Sequence, residues 1–286
     1  MDQSGFLIIG ANGQLGLALQ AQYPQARAVD AAELDITNVE VVQNYNWEGV
    51  TAILNAAAYT NVDGAETAEG RVAAWKVNAT GVRNLADVAI AHDLTLLHIS
   101  SDYVFDGTQE NHAETEPFSP LGVYGQAKAA GDIAASLVPK HYVLRSTWII
   151  GEGKNFVRTM LGLGQKGIAP TVVADQIGRL TFTAELVRII DHLLTQKAAF
   201  GTYNATNDGE PASWADITRE IFKLGGYDLT VTDTTTAEYF AGKEGISPRP
   251  LNSIMNLTKL QQTGFASHDW HEDLKAYVAK EMEQTA

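Results

Sequence analysis

The stretch that most limits the fold is "GFLIIGANGQLGLALQ", residues 5–20. An apolar run ends in Gly10, the pattern G-x-x-G-x-x-G follows through Gly13 and Gly16, and apolar residues at helical spacing come next. This reads as strand, tight turn and helix. Gly10 and Gly13 permit the turn and a close backbone approach, and Gly16 permits close helix–strand packing. The helix N-terminus then faces outward as an anion site suited to a pyrophosphate. A glycine pattern alone also suits a plain structural turn; the strand before it and the helix after it favour dinucleotide binding.

The rest of the first half repeats the alternation. Short apolar runs at 26–31, 51–58, 94–101 and 142–148 are separated by helical patterns, among them 70–93 and 123–138. Strands alternating with helices make βαβ units and a parallel sheet. The expected fold is therefore α/β, a Rossmann-type doubly wound parallel sheet with a smaller C-terminal α/β substrate lobe. Residues 1–150 form the dinucleotide-binding part, joined by about 175–200, and 151–286 form mainly the substrate lobe. In that second part helices are expected near 155–165, 183–196, 213–224 and 268–284, with short strands such as "PTVVA" and "GTYNAT" between them.

The chain has 286 residues, no Cys and a net charge of −14. Disulfides, thiolate metal sites and Cys nucleophiles are excluded. An acidic chain lacks the basic face that nucleic acid requires, though backbone N–H groups and a few arginines can still hold a small phosphorylated ligand. The N-terminus has no basic stretch leading an apolar one, and no apolar run reaches membrane-spanning length. A cytoplasmic protein with no membrane and no nucleic-acid partner is the expectation.

Asp30 stands twenty positions after Gly10 at the end of the second strand, where an acid can hydrogen-bond a ribose or simply be solvated. An acid there repels a 2′-phosphate, and Ala31 and Ala32 bring no compensating arginine, which favours NADH over NADPH. Asp35 and Ile36 are placed to line the adenine. "NAAAY" (55–59) ends the third strand in the small residues that a strand edge against a dinucleotide needs.

"VYGQAKAAG" (123–131) sets Tyr124 and Lys128 four residues apart, on one helix face. They form either a surface pair or a proton-transfer pair, in which the ammonium lowers the phenol pKa from its usual value near 10. Ser101 stands at the C-terminal end of the fourth strand, where open α/β sheets place their ligand crevice. Ser101, Tyr124 and Lys128 together suit reduction of a carbonyl, with Tyr124 as the proton donor.

These elements resemble the extended short-chain dehydrogenase/reductases that act on nucleotide sugars. Longer strings narrow the resemblance: "GANGQLG", "NAAAYTNVDGAE", "SSDYVFDG", "PLGVYGQAKAAGD", "RSTWIIG", "DQIGR" and "SPRPLNSIM" occur in order across nearly the whole chain. Together they are similar to the dTDP-4-dehydrorhamnose reductase family. The resemblance implies reduction of the C4 keto group of a dTDP-sugar by NADPH or NADH, with Tyr124 as acid and with Lys128 holding the nicotinamide ribose. Gly13, Gln14, Leu15, Asp30, Asp35, Ile36, Ala57, Ala58 and Tyr59 would line the cofactor. Asp102 and Trp148 would contact the sugar nucleotide, with Tyr103 beside them. A homodimer is compatible with the resemblance.

The departures are specific. "DQIGRLT" has Leu180 where the family has Pro, and Asp132 replaces a frequent Glu. No magnesium-ligand set is matched, and Glu185 reads as a solvated acid. Dehydratases of the superfamily carry Asp-Glu after the fourth strand, whereas this chain has Asp102–Tyr103. An epimerase, and a non-catalytic NADP-binding regulatory subunit resembling that of methionine adenosyltransferase, are the competing readings. Trp148 suits core packing or stacking on a ligand. Arg249, between two prolines, suits an exposed loop or a pyrophosphate clamp, and Arg145 and Arg158 are weaker clamps. His98 reads as a core histidine, and Asp63, Glu66 and Glu69 as the solvated start of a helix.

Overall fold

The computed structural model describes residues 3–285. Met1, Asp2 and Ala286, the outer ends of the two expected segments, lie outside it. Six parallel strands make the main sheet: β1 (Phe6–Ile9), β2 (Arg27–Val29), β3 (Ala52–Asn55), β4 (Thr95–Ser101), β5 (His141–Ser146) and β6 (Gly201–Asn204). Their order is β2-β1-β3-β4-β5-β6. After β1 the chain steps outward to β2 and then back past β1 to β3. The strand order reverses there, and the crevice beyond the strand C-termini at that reversal is where doubly wound sheets take ligands.

Both faces of the sheet are covered. The helices are α1 (Gln14–Gln22), α2 (Val39–Asn44), α3 (Ala68–Trp75), α4 (Val82–Ala91), α5 (Val123–Ser136), α6 (Phe156–Gln165), α7 (Thr183–Thr195) and α8 (Trp214–Gly225). Alternation along β1 sorts the two cores. Phe6 and Ile8 face one core with Leu15 and Leu19 of α1 and Leu186, Ile189, Ile190 and Leu193 of α7. Leu7 and Ile9 face the other with Val82, Leu85 and Ala86 of α4 and Ala134 and Ala135 of α5. Period-2 alternation in a strand buried on both sides requires this division.

A third core joins α6, α8 and the C-terminal helix Trp270–Thr285, through Val157, Leu161, Ile217, Phe222, Trp270 and Leu274. Leu180 is fully buried in it. The residue standing for the family's proline is thus a core side chain, not a loosened turn.

Three elements differ from the sequence reading. "GTYNAT", expected in the smaller lobe, supplies edge strand β6, which pairs with β5. The helix α2, capped by the Asn38 side chain on Glu40 N and Val41 N, is too short to show a clear period. The long helix expected at 70–93 is interrupted by a π-helical segment, Lys76–Gly81, between α3 and α4. Such bulges insert a residue and cluster at functional sites.

Candidate functional site

The glycine loop forms where β1 meets α1. Gly10 has φ +83°, and a Cβ there would lie 2.7 Å from Ala57 N. A Cβ on Gly16 would lie 2.1 Å from the Gly10 carbonyl oxygen. Neither position admits a side chain, so the loop, α1 and the end of β3 close into a tight cradle. The first turn of α1 begins at Gly13, which supplies no side-chain cap. The unpaired N–H groups of a first turn attract an anion.

Beside the cradle lies a cleft of about 290 Å³ lined by Gly10, Gly13, Asp30, Asp35, Ile36, Ala57 and Ala58. It sits at the strand-order reversal. Seven expected cofactor residues therefore share one cavity wall. Leu15 does not: its side chain is buried in the core under α1. Gly16 acts from behind the wall, by letting α1 approach. Tyr59 and Tyr124 both pack on the cluster of Ala65, Ala74, Val123 and Ala127.

Asn78, in the π-segment, holds Tyr59 by both backbone groups: its Oδ1 accepts from Tyr59 N at 2.8 Å and its Nδ2 donates to Tyr59 O at 3.0 Å. Sequence reasoning missed this clamp. The available signal was a buried amide inside an otherwise apolar helical pattern.

Ser101 ends β4, and Tyr124 and Lys128 lie one turn apart on α5, which packs on β4. Lys128 is fully buried, and its Nζ donates to Ile99 O at 2.6 Å. Burial lowers its pKa to about 8, against the opposing pull of Asp132. Burial pushes the Tyr124 phenol up, the Asp102 charge adds to that, and the nearby Ser101 hydroxyl acts the other way. The sequence expectation that Lys128 lowers the Tyr124 pKa is corrected on this point. The ammonium is engaged by the Ile99 carbonyl, and burial dominates the phenol.

Asp102 is also buried. Its Oδ1 accepts from Ser101 Oγ at 2.9 Å and its Oδ2 from Ser253 Oγ at 2.6 Å. Desolvation raises its pKa, and the hydroxyl donors oppose the rise. Tyr103 meets Tyr124 edge to face, with ring centroids 5.5 Å apart.

Trp148 follows β5 with φ +48°, a left-handed conformation unusual for a bulky residue and a form of stored strain. Its ring stacks on Trp214 at 3.8 Å. Trp214 in turn lines a pocket of about 410 Å³ with Phe156, Met160, Val172, Tyr239, Phe240 and Arg249. Arg249 is not a solvated loop residue. It donates to Asp63 Oδ1 at 2.7 Å and to Ser247 O at 2.9 Å. Asp63 and Glu66 are likewise not merely a solvated helix start, since Glu66 Oε1 accepts from Val123 N and from Ser247 Oγ. These bonds tie the 63–66 loop to the start of α5 and to the C-terminal 247–249 loop.

Other sequence readings resolve as follows. Arg145 is buried against Asp132 at 2.9 Å, and Arg158 pairs with Glu152 and Glu281, so neither is free to clamp a phosphate. His98 is a core histidine, as expected, 3.0 Å from Asn55 Nδ2, and burial lowers its pKa well below the usual value. Glu185, expected to be solvated, is buried; it pairs with Arg188 and accepts from His268 N at 3.0 Å. The fold also gathers donor atoms of Glu185, His268 and Asp273 within 4.8 Å of one another, a grouping the sequence did not show.

Residues 4–283 match the family model described as the RmlD substrate binding domain. A dTDP-4-dehydrorhamnose reductase of Aggregatibacter actinomycetemcomitans is 40% identical over 94% of this chain and 96% of its own length. A solved dTDP-4-dehydrorhamnose reductase of Clostridium acetobutylicum superposes with a TM-score of 0.88 at 37% identity, covering 96% of this chain and 98% of the other. The Bacillus anthracis enzyme in complex with NADP also gives 0.88, at 34% identity with the same coverage.

Proposed function

The chain belongs to the RmlD substrate-binding-domain family, and from that membership we propose that it reduces the C4 keto group of dTDP-4-dehydro-L-rhamnose to dTDP-L-rhamnose with NADPH or NADH. The observation that supports this reading within the molecule is that Ser101 ends β4 while Tyr124 and Lys128 stand one turn apart on α5, the helix packed on β4. The collapsed cradle of Gly10 and Gly16 fits a dinucleotide pyrophosphate, and Asp30 in the adjoining cleft fits its ribose.

When bound, the reduced nicotinamide supplies the hydride. Tyr124 delivers the proton to the carbonyl oxygen, and its raised pKa keeps the phenol protonated at neutral pH. Ser101 stands beside that oxygen, its hydroxyl anchored on Asp102. Lys128 presents a cation to the nicotinamide ribose. The aromatic pocket around Trp214 and Phe240 takes the thymidine end, with Arg249, held by Asp63, on its wall. Trp148, Asp102 and Tyr103 wall the sugar. A homodimer belongs to this reading, because the packed helices α3 and α5 expose Val72, Trp75 and Ile133, with Leu137 exposed just past the end of α5. So does a place in the cytoplasm; no helix among the described residues is long and apolar enough to cross a membrane.

The test is loss of NADPH or NADH absorbance with dTDP-4-dehydro-6-deoxyglucose, with and without a 3,5-epimerase. Oxidation that depends on the epimerase supports the reading. No oxidation with either cofactor overturns it in favour of a regulatory role.

A further inference from the structure

The C-terminal string "SPRPLNSIM" contributes more than Arg249. Ser253 is buried, and its hydroxyl donates to Asp102 Oδ2 at 2.6 Å, across 151 residues of sequence. The other oxygen of the same carboxylate accepts from Ser101 Oγ at 2.9 Å. Ser101 Oγ also accepts from Tyr103 N at 3.2 Å, and the Tyr103 ring meets that of Tyr124 edge to face. A single carboxylate thus lies between a remote serine and the hydroxyl at the reaction centre. No cation pairs with Asp102 among the described residues; the Ser101 and Ser253 hydroxyls donate to its two oxygens.

Ser253 is itself held from two sides. Its N–H donates to Ile177 O at 2.8 Å, and Ile177 N donates to Leu251 O at 2.8 Å. On the other side His112 N donates to Ile254 O at 2.8 Å, and Asn252 Nδ2 donates to Gln109 O at 2.8 Å. The loop is fixed at both margins, so the Ser253 hydroxyl arrives at Asp102 with little freedom left to lose.

We propose that Ser253 is a positioning residue for the reaction centre: it holds the Asp102 carboxylate in the orientation that receives the Ser101 hydroxyl, and so fixes the place of Ser101 beside Tyr124. The proposal rests on the reductase reading above. With Ser253 as donor on one oxygen, the other oxygen is free to accept from Ser101. The Ser101 oxygen keeps its lone pairs for other donors, among them Tyr103 N at 3.2 Å. Without Ser253, the carboxylate loses a donor in a desolvated place and can rotate or take up a proton. Ser101 then loses its fixed acceptor.

The experiment compares wild type, Ser253→Ala and Ser253→Thr. It measures kcat, KM for the dTDP-sugar, cofactor Kd by fluorescence titration, and Tm. Small displacements of catalytic groups cost up to ~100-fold in rate, so Ser253→Ala is expected to lower kcat about tenfold or more. KM and cofactor Kd should stay within about twofold, and Ser253→Thr, which keeps the hydroxyl, should recover most of kcat. If Ser253→Ala lowers Tm alone and leaves kcat intact, Ser253 is merely structural and the proposal fails. It fails equally if KM rises at unchanged kcat, because Ser253 then acts on substrate binding. Should Ser253→Ala not fold, Ser253→Thr and Ser253→Cys decide: loss of kcat in the Cys variant alone supports the hydroxyl bridge, and equal rates overturn it. An inactive wild type would instead overturn the reductase reading, so the two failures are distinct.

Discussion

Lys128 gives its ammonium to the Ile99 carbonyl of β4 at 2.6 Å, while the ring of Tyr124, on the preceding turn of α5, meets Tyr103 edge to face. The two side chains share a helix face but face different partners, and they titrate in opposite directions. Burial brings Lys128 down to about 8 and pushes Tyr124 up.

A pH limb follows from the lysine. Its cation is present below about pH 8 and is lost as pH rises through that value. Cofactor binding and kcat/KM are therefore expected to fall above about pH 8, and the limb should be absent from the weaker Lys128→Ala variant. Stability runs the other way for this group. Between pH 8 and 10.5 the unfolded chain holds the proton that the folded chain has lost, so its contribution to stability rises across that window. Urea unfolding of wild type and Lys128→Ala at pH 7.5 and 9.5 reads the difference; an equal pH trend in both would remove Lys128 as its source.

Tyr124→Phe keeps the ring that packs on the Ala65, Ala74, Val123 and Ala127 cluster and meets Tyr103, and removes only the proton donor. Turnover is expected to drop by about 10²–10⁴-fold, with cofactor Kd within about twofold of wild type. Steady-state kinetics alongside fluorescence titration makes the comparison. Near-normal turnover would assign the proton to another group.

Asp30 sits in the cofactor cleft and accepts from the N–H of Ala31 at 2.7 Å, which keeps its carboxylate at the end of β2. A carboxylate there favours a free ribose 2′-hydroxyl over a 2′-phosphate. Asp30→Ser should raise the NADPH-to-NADH ratio of kcat/KM by about tenfold, equivalent to ~1.4 kcal/mol. An unchanged ratio would show that the 2′-position is read elsewhere.

Leu180 is wholly buried in the third core. Leu180→Ala is expected to cost about 2–5 kcal/mol of stability, measured by urea unfolding. A loss below ~1 kcal/mol, smaller than the usual cost of such a truncation, would mean that the core collapses around the gap.

The parts of the fold that were legible are those written in local period. In β1 alternate residues go to opposite cores, and the G-x-x-G-x-x-G turn marks its end. Tyr124 and Lys128 announce themselves by spacing on one helix. What was not legible depends on distant pairing. Ser253 is 151 residues from Asp102, and Arg249 is 186 from Asp63. Neither partnership leaves a local trace. Glu185 looks like any acid in the first turn of an amphipathic helix until Arg188 and the His268 N–H close over it. Strand β6 reads as belonging to its neighbours in sequence, and only the register with β5 places it.

The π-segment at Lys76–Gly81 has the character of an inserted residue that was kept. Each residue turns an α-helix by about 100°. Deleting one from this segment would restore a regular helix and rotate α3 against α4, carrying Asn78 away from the Tyr59 backbone it grips. The same segment presses the Asn78 carbonyl so close to Gly131 of α5 that a methyl group at Gly131 would stand 2.2 Å from it. A single surplus residue in one helix therefore sets the seat of the helix beside it, and with it the depth at which Tyr124 and Lys128 stand. A change in length at 76–81 would act on the reaction centre as a change of geometry, with every residue of that centre left intact.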